Sequence, residues 1–179
     1  AFVNSLPEAE DICRKISESM KRVRSEKVFC IGLSSKSDDK SKELAKDATL
    51  YRDAPGGPYD RKVVIGTELI ESSITIKGAV FVIDNGYSLQ SGYEADRMEE
   101  YLNPGRVAKA SAIQRKGRVG RVEPGECYKM YTKEEYQSFE DDPVLAIKKE
   151  RTEGLILEVF RKSDVSTLKD ALDYINEFI

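Results

Sequence analysis

Histidine is absent from this chain of 179 residues. Its absence excludes the Ser-His and Cys-His nucleophile systems and histidine-based zinc sites, and it removes the commonest general base. Any chemistry must therefore use arginine, lysine, aspartate, glutamate, glutamine, serine or threonine. The cysteines are Cys13, Cys30 and Cys127, and their spacing fits neither a disulfide framework nor a metal site. We interpret them as reduced, buried thiols of an intracellular protein.

Long apolar runs and an overall basic charge are also missing. No apolar stretch approaches the roughly 18 residues that span a bilayer, so we expect no membrane segment, and no signal peptide is recognisable. The net charge is −3. Because a nucleic-acid-binding domain usually carries a basic balance, any phosphate binding is expected to be local. The chain begins with Ala1-Phe2-Val3, without a methionine, and we interpret it as a fragment of a longer protein.

Short apolar runs, which predict strands, alternate with helical patterns. The runs lie at 1–4, 28–31, 63–65, 80–83 and 127–131, and helices are predicted over 5–24, 39–47, 108–119, 144–161 and 165–179. This alternation favours an α/β fold with a doubly wound, mainly parallel sheet and sites at the carboxyl ends of its strands. The polar segment 90–103 is expected to be an exposed excursion. The pattern changes after Asp142-Pro143, which predicts one domain over 1–142 and a helical extension over 143–179.

The most distinctive segment is Gln114-Arg115-Lys116-Gly117-Arg118-Val119-Gly120-Arg121. Between 106 and 121 there are six basic residues and no acidic one. On a helix, Gln114, Arg118 and Arg121 would form one stripe, with Arg115 and Lys116 pointing elsewhere. Each glycine costs about 1 kcal/mol relative to alanine inside a helix, which indicates close approach of a backbone or a ligand.

Two guanidinium groups on one face can clamp the charge of a transferring phosphoryl group, and a glutamine can orient the attacking water. The same residues are also compatible with a solvated basic face or a plain phosphate-binding patch.

This segment resembles the QRxGRxGR signature, motif VI, of superfamily 2 helicases of the DExH/DEAH type. Residues 63–76 resemble motif V and are followed by an Asp-x-Gly turn at Asp84-Asn85-Gly86, while residues 2–5 resemble motif IV. Residues 109–112 and 123–131 also match the family. The resemblance covers residues 1 to about 160 and is most like viral RNA helicases of the poxvirus, flavivirus and pestivirus types. It implies a RecA-like fold, as the second RecA-like domain of an ATP-dependent RNA helicase.

The resemblance also assigns roles to individual positions. It implies catalytic roles for Gln114, Arg118 and Arg121, nucleotide contacts at Glu71, Ser73, Thr75 and Lys77, and RNA-backbone contacts at Ser5 and Thr67. Two positions depart from the family pattern, because Glu68 stands where asparagine is frequent and Lys77 where aspartate is frequent.

No Walker A loop and no Asp-Glu-x-His box occur in the sequence, and Gly56-Gly57 is interpreted as a turn. We therefore expect ATP, or another NTP, with Mg²⁺ to be held mainly by an upstream RecA-like domain of the same polypeptide. The isolated chain is then expected to be inactive. The resemblance further implies RNA as a partner, either single-stranded or duplex with an overhang. It also implies an intracellular, cytoplasmic location, in the host cytoplasm if the protein is viral.

An alternative function needs only the basic segment. The chain would then be a nucleic-acid-binding or regulatory module without ATPase activity, and its binding of single-stranded RNA would not depend on nucleotide.

Overall fold

The computed structural model describes residues 1–23, 26–94, 96–120, 123–144, 152–161 and 167–176. They form two compact units, one of residues 1–89 and 104–143 and the other of residues 90–103 and 144–179. Within the described ranges, no helix combines the length and the apolar character needed to cross a membrane. The elements are, in chain order, α1 (Leu6–Val23), β1 (Val28–Leu33), α2 (Asp39–Lys46), a 3₁₀ helix (Leu50–Asp53), β2 (Arg61–Gly66), α3 (Leu69–Ser72), β3 (Phe81–Asp84), β4 (Tyr87–Glu94), β5 (Glu99–Arg106), α4 (Lys109–Lys116), β6 (Glu126–Lys129), α5 (Lys133–Gln137), α6 (Thr152–Phe160) and α7 (Leu168–Asn176).

The first unit is built on parallel strand pairs. β1 pairs with β2, and β3 pairs with β6, both in parallel. Residues 1–3 join the two pairs, because Phe2 forms a parallel bridge with Gly66 and its N–H donates to the carbonyl of Ile83 at 3.0 Å. The spatial order is therefore β1, β2, residues 1–3, β3 and β6. The predicted parallel sheet is confirmed, and its chain order switches at residues 1–3, where sheets of this type bind ligands.

Helices cover the sheet on both faces. On one face, Ala9 of α1 packs against Val3 and Ile65. On the other face, α2 and α3 contribute to a larger apolar core. That core consists of Phe2, Leu33, Ala45, Val64, Ile70, Ile74 and Val82. Coverage of both faces explains why β1 and β2 read as continuous apolar runs in the sequence. β3 differs, because Phe81 and Ile83 on one of its faces are exposed.

The start of α1 follows the local sequence closely. The hydroxyl of Ser5 accepts the N–H of Glu8 at 3.3 Å, and the Glu8 carboxylate accepts the N–H of Asn4 at 2.9 Å. These two bonds satisfy backbone donors that the first turn of a helix leaves without partners. The predicted helix start at Asn4-Ser5 is confirmed, and α1 is described as far as Val23.

The prediction of three reduced thiols is wrong for one pair. Cys13 of α1 and Cys30 of β1 form a disulfide, with their Cα atoms 5.3 Å apart. Packing of α1 on β1 brings the two side chains together, and this contact is not visible in the spacing of the cysteines. Cys127 is a free, half-buried cysteine. Burial raises the pKa of its thiol, since a thiolate is less well solvated there.

The segment predicted as a polar excursion contains regular structure. β4 and β5 pair with each other, so residues 90–103 lie largely within a hairpin. Gly92 makes room for Tyr101 there, because a Cβ at this glycine would lie 2.3 Å from the tyrosine ring. The predicted exposure holds for Met98 in the turn and for Leu102 in β5, which are both exposed. Its strands were missed because the segment lacks a clear apolar alternation.

The last part of the chain contains two short helices. α6 and α7 pack through Val159 and Ala171, with Tyr174 and Ile175 beside them. Both lie within the predicted helical ranges, of which residues 145–151, 165–166 and 177–179 are outside the described residues. The assignment of 1–142 and 143–179 as separate domains stays a prediction.

Candidate functional site

The two predicted RNA-contacting hydroxyls lie where strands end. Ser5 follows the central segment 1–3, and Thr67 follows β2. The N–H of Thr67 donates to the carbonyl of Leu33, the last residue of β1, at 3.2 Å. Both side chains are half-buried, and the Ser5 hydroxyl already caps α1. Their position at the carboxyl edge of a parallel sheet is where such folds bind ligands.

Three of the four predicted nucleotide-contacting residues share one groove. Ser73, Thr75 and Lys77 are exposed and line an open groove of about 470 Å³ that is formed with α2 and the residues after it. The N–H of Lys77 donates to the carbonyl of Lys46 at 3.0 Å, which ties the two walls together. The other wall presents Glu43, Lys46, Asp47 and Leu50. The groove therefore contains hydroxyl groups and charges of both signs.

Glu71, the fourth residue of that group, points into the protein instead. It is 8% exposed, and its Oε2 accepts a hydrogen bond from Nε of Arg115 at 2.8 Å. Nη1 of Arg115 donates to Oδ1 of Asp84 at 2.9 Å. Arg115 and Asp84 are 1% and 0% exposed. One guanidinium fork thus pairs with two buried carboxylates, from α3 and β3, each of which would be costly to bury without a partner.

The same network continues to the end of β6. The hydroxyl of Tyr131 donates to Oδ2 of Asp84 at 2.8 Å. Burial and this hydrogen bond raise the pKa of Tyr131 well above its ordinary value, because both favour the neutral phenol. Gly86 is needed beside the ring, since its φ is +74° and a Cβ there would lie 2.6 Å from Tyr131. The buried charges are therefore fully engaged within the protein.

Sequence reasoning missed Arg115, which was predicted to point away from the functional stripe. A usable signal lies in the spacing, because Ala108, Ala112 and Arg115 recur at i, i+4 and i+7. The two alanines are buried, at 8% and 1% exposure. This is the face of α4 that packs inward. An arginine on a face of small residues has room to enter the interior.

The predicted helical stripe of Gln114, Arg118 and Arg121 is wrong, because α4 ends at Lys116. Gly117 is the C-cap, with its N–H bonded to the carbonyl of Ile113 at 2.9 Å, and Gly120 has a φ of +76°. The two glycines therefore end the helix and redirect the chain. Gln114 is exposed on the last turn of α4, whereas Arg121 lies outside the described residues.

Arg118 follows the helix end and turns toward the predicted nucleotide segment. Its side chain is half-buried, and Nη1 donates to the carbonyl of Ile74 at 3.4 Å. Ile74 lies between Ser73 and Thr75 in the chain, so Arg118 contacts the segment that lines the groove. Arg118 thus contacts the chain between two predicted nucleotide-contacting residues. It does not line the groove itself, and it lines a second pocket of about 390 Å³ instead.

Two crystal structures of the Escherichia coli protein HrpB have a similar fold. The structure of the DExH-box NTPase HrpB has a TM-score of 0.72 and 26% identity, and the match covers 89% of this chain and 18% of that one. The structure described as a DEAH/RHA helicase has a TM-score of 0.75 and 24% identity, with 93% and 20% covered. The chain therefore has the predicted α/β, RecA-like fold.

Sequence relatives point to the same class. L540 of Acanthamoeba polyphaga mimivirus, whose name assigns it provisionally to the ATP-dependent RNA helicases, is 33% identical over 178 residues, which are 99% of this chain and 25% of L540. The ATP-dependent RNA helicase DHX29 of Mus musculus is 39% identical over 115 residues, which are 64% of this chain and 8% of DHX29. No protein-family model matches the sequence.

The chain thus spans a quarter or less of these relatives and corresponds to a part of such proteins. These relatives support the predicted superfamily 2 DExH/DEAH family. One of them is viral, whereas the likeness to poxvirus and flavivirus members stays a prediction.

Proposed function

We propose that this chain is the second RecA-like domain of an ATP-dependent RNA helicase, and that its ATP site is completed by an upstream RecA-like domain. The relatives named above support the parent activity. The observation that carries the assignment of the site is the hydrogen bond from Arg118 to Ile74, at 3.4 Å. It joins a predicted arginine finger to the segment that bears the predicted nucleotide contacts.

In the proposed mechanism, closure of the two domains brings Arg118 and Arg121 to the γ-phosphate. Their charges stabilise the negative charge of the transferring phosphoryl group, and the exposed Gln114 orients the attacking water. The groove lined by Ser73, Thr75 and Lys77 faces the nucleotide.

RNA is held by its phosphates at Ser5 and Thr67. Contacts of this kind position the strand without reading its sequence. The RNA is single-stranded or a duplex with an overhang, and cycles of closure and opening move the strand.

The part of the chain that the structure describes provides no magnesium site of its own. Among the described residues, no group of three or more acidic, histidine or cysteine side chains could hold a metal ion. Glu71 and Asp84 are already bound to Arg115. We therefore place ATP and Mg²⁺ mainly on the upstream domain, and the isolated chain is inactive in this proposal. An intracellular, cytoplasmic location belongs to the same proposal.

The test is ATP hydrolysis by a longer protein that carries the upstream domain, with and without single-stranded RNA. We expect RNA to stimulate turnover and Arg118→Ala to lower it by about 10³-fold or more. Lys116→Ala is the matched control, because it removes an exposed positive charge two residues away. It should stay within a few-fold of wild type.

Circular dichroism should show that both variants remain folded. Absence of turnover in the wild type, or turnover that Arg118→Ala leaves unchanged, would overturn the arginine-finger role. Nucleotide-independent binding of single-stranded RNA would then favour the alternative, a nucleic-acid-binding or regulatory module without ATPase activity.

A further inference from the structure

α3 is a single helical turn that lies between the two kinds of predicted contact. Thr67, a predicted RNA contact, precedes it, and Ser73, a predicted nucleotide contact, follows it. The turn is held locally, because the N–H of Ile70 donates to the carbonyl of Thr67 at 3.1 Å. One hydrogen-bonded turn therefore separates the two kinds of predicted contact.

The end of α4 is attached to this region at two points. Arg115 binds Glu71 within α3 at 2.8 Å, and Arg118 binds the carbonyl of Ile74 at 3.4 Å. Two attachments three residues apart fix the orientation of the chain between them, whereas one attachment would leave it free to pivot. The position of Arg118 consequently depends on the bond between Arg115 and Glu71.

The two carboxylates that bind Arg115 attach α4 to different parts of the fold. Asp84 lies on the strand β3, so its bond to Arg115 fastens α4 to the sheet. Glu71 lies on the segment that carries the predicted contacts. Because the carboxylate of Glu71 is already paired with Arg115, an indirect role in positioning Arg115 suits Glu71 better than direct contact with the nucleotide.

We propose that Arg115 is a positioning residue that couples RNA binding at Thr67 to the placement of Arg118, through its ion pair with Glu71. The proposal rests on the proposed helicase function. Coupling of this kind needs a contiguous physical link between two sites, and the pair supplies one that is buried and geometrically fixed by the guanidinium fork. Lysine at this position would keep the charge, but its single ammonium cannot reproduce the two directed bonds.

The test compares ATP hydrolysis with and without single-stranded RNA in the longer protein that contains the upstream domain. For Arg115→Lys, we expect the ratio of the two rates to fall about tenfold, which is an ordinary size for coupling between two sites. Lys116→Arg, the reverse exchange at the next, exposed position, should leave the ratio unchanged. A ratio equal to that of wild type in folded Arg115→Lys overturns the proposal.

The variant Asp84→Asn distinguishes a purely structural role of Arg115 from a role in coupling. It weakens the attachment of α4 to the sheet but leaves Arg115 bound to Glu71. Coupling predicts that Asp84→Asn lowers stability and preserves the ratio, whereas a structural role predicts parallel effects of the two variants on the ratio. If Arg115→Lys does not fold, Glu71→Gln tests the same link through the same ratio. An unchanged ratio in that variant, or its failure to fold as well, overturns the proposal. If RNA does not stimulate ATP hydrolysis by the wild-type protein, the proposed function itself is refuted. If RNA stimulates the wild type but not the variant, only the coupling is lost.

Discussion

The phenol of Tyr131 and the carboxylate of Asp84 form a 2.8 Å hydrogen bond, in which the tyrosine donates to Oδ2. The other oxygen of Asp84, Oδ1, accepts from Arg115 at 2.9 Å. Asp84 has no exposed surface, so these partners replace its solvation by water. The interior of the first unit therefore contains a polar network in which removal of Arg115 would leave two buried carboxylates without a counter-ion.

Removal of Arg115 should be strongly destabilising. We expect Arg115→Met to lower the free energy of unfolding by about 3–5 kcal/mol, because two buried carboxylates lose their counter-ion. Urea denaturation of the chain measures this. The exposed neighbour Lys116 provides the control, and Lys116→Met should change the stability by no more than about 0.5 kcal/mol. A loss below about 1 kcal/mol for Arg115→Met would show that the carboxylates are not held as described.

Replacement of Tyr131 should change how stability depends on pH. The folded-state pKa of Tyr131 is raised above the ordinary value of 10.0. Above that pH the unfolded chain loses the phenolic proton while the folded chain keeps it. The contribution of Tyr131 to the free energy of unfolding is therefore complete below pH 10 and decreases as the pH rises above it. The stability advantage of wild type over Tyr131→Phe should shrink by up to about 1.4 kcal/mol per pH unit there. Denaturant unfolding at neutral and alkaline pH measures it, and a constant difference between the two proteins contradicts the shift.

The disulfide between Cys13 and Cys30 should contribute measurably to stability. It closes a loop between cysteines that are 17 positions apart. Constraint of the unfolded chain by a loop of this size is worth about 3 kcal/mol, so Cys13→Ala should lower the free energy of unfolding by about that amount. A reductant should bring wild type close to the variant, and Cys127→Ala should respond to the reductant as wild type does. Wild-type unfolding that is insensitive to a reductant would refute the pairing.

Two glycines with open space around them should respond to alanine in opposite directions. A Cβ at Gly120 or at Gly154 would meet no atom within 4 Å, but Gly120 has a φ of +76°. We expect Gly120→Ala to cost about 1–2 kcal/mol through backbone strain. Gly154 lies in α6, so Gly154→Ala should stabilise its helix by about 0.5–1 kcal/mol. Thermal unfolding followed by circular dichroism compares them, and a shift of the same sign for both would exclude backbone conformation as the cause.

The sequence alone determined the features that depend on neighbouring residues. Continuous apolar runs predicted the parallel strands, because strands covered on both faces need no polar alternation. The same pattern did not show that β3 leaves Phe81 and Ile83 exposed. The start of α1 could be predicted at Asn4-Ser5, since a cap uses side chains within one turn of the backbone donors that they satisfy. The resemblance to motif VI implied a role for Arg118 at the nucleotide, which stays a prediction, and the helix on which we expected Arg118 ends two residues earlier.

Tertiary structure decided the contacts between residues that are distant in the sequence. Arg115 and Glu71 are 44 positions apart, and Tyr131 and Asp84 are 47 apart. No local periodicity encodes such pairs, because they arise only when α4 and the end of β6 pack against α3 and β3. The same reason hid the bond between Cys13 and Cys30. Whether a charged side chain is a solvated surface group or a buried partner depends on what the fold places beside it. For Arg115 the spacing indicates the inward face of α4, but only the packed chain identifies Glu71 and Asp84 as its partners.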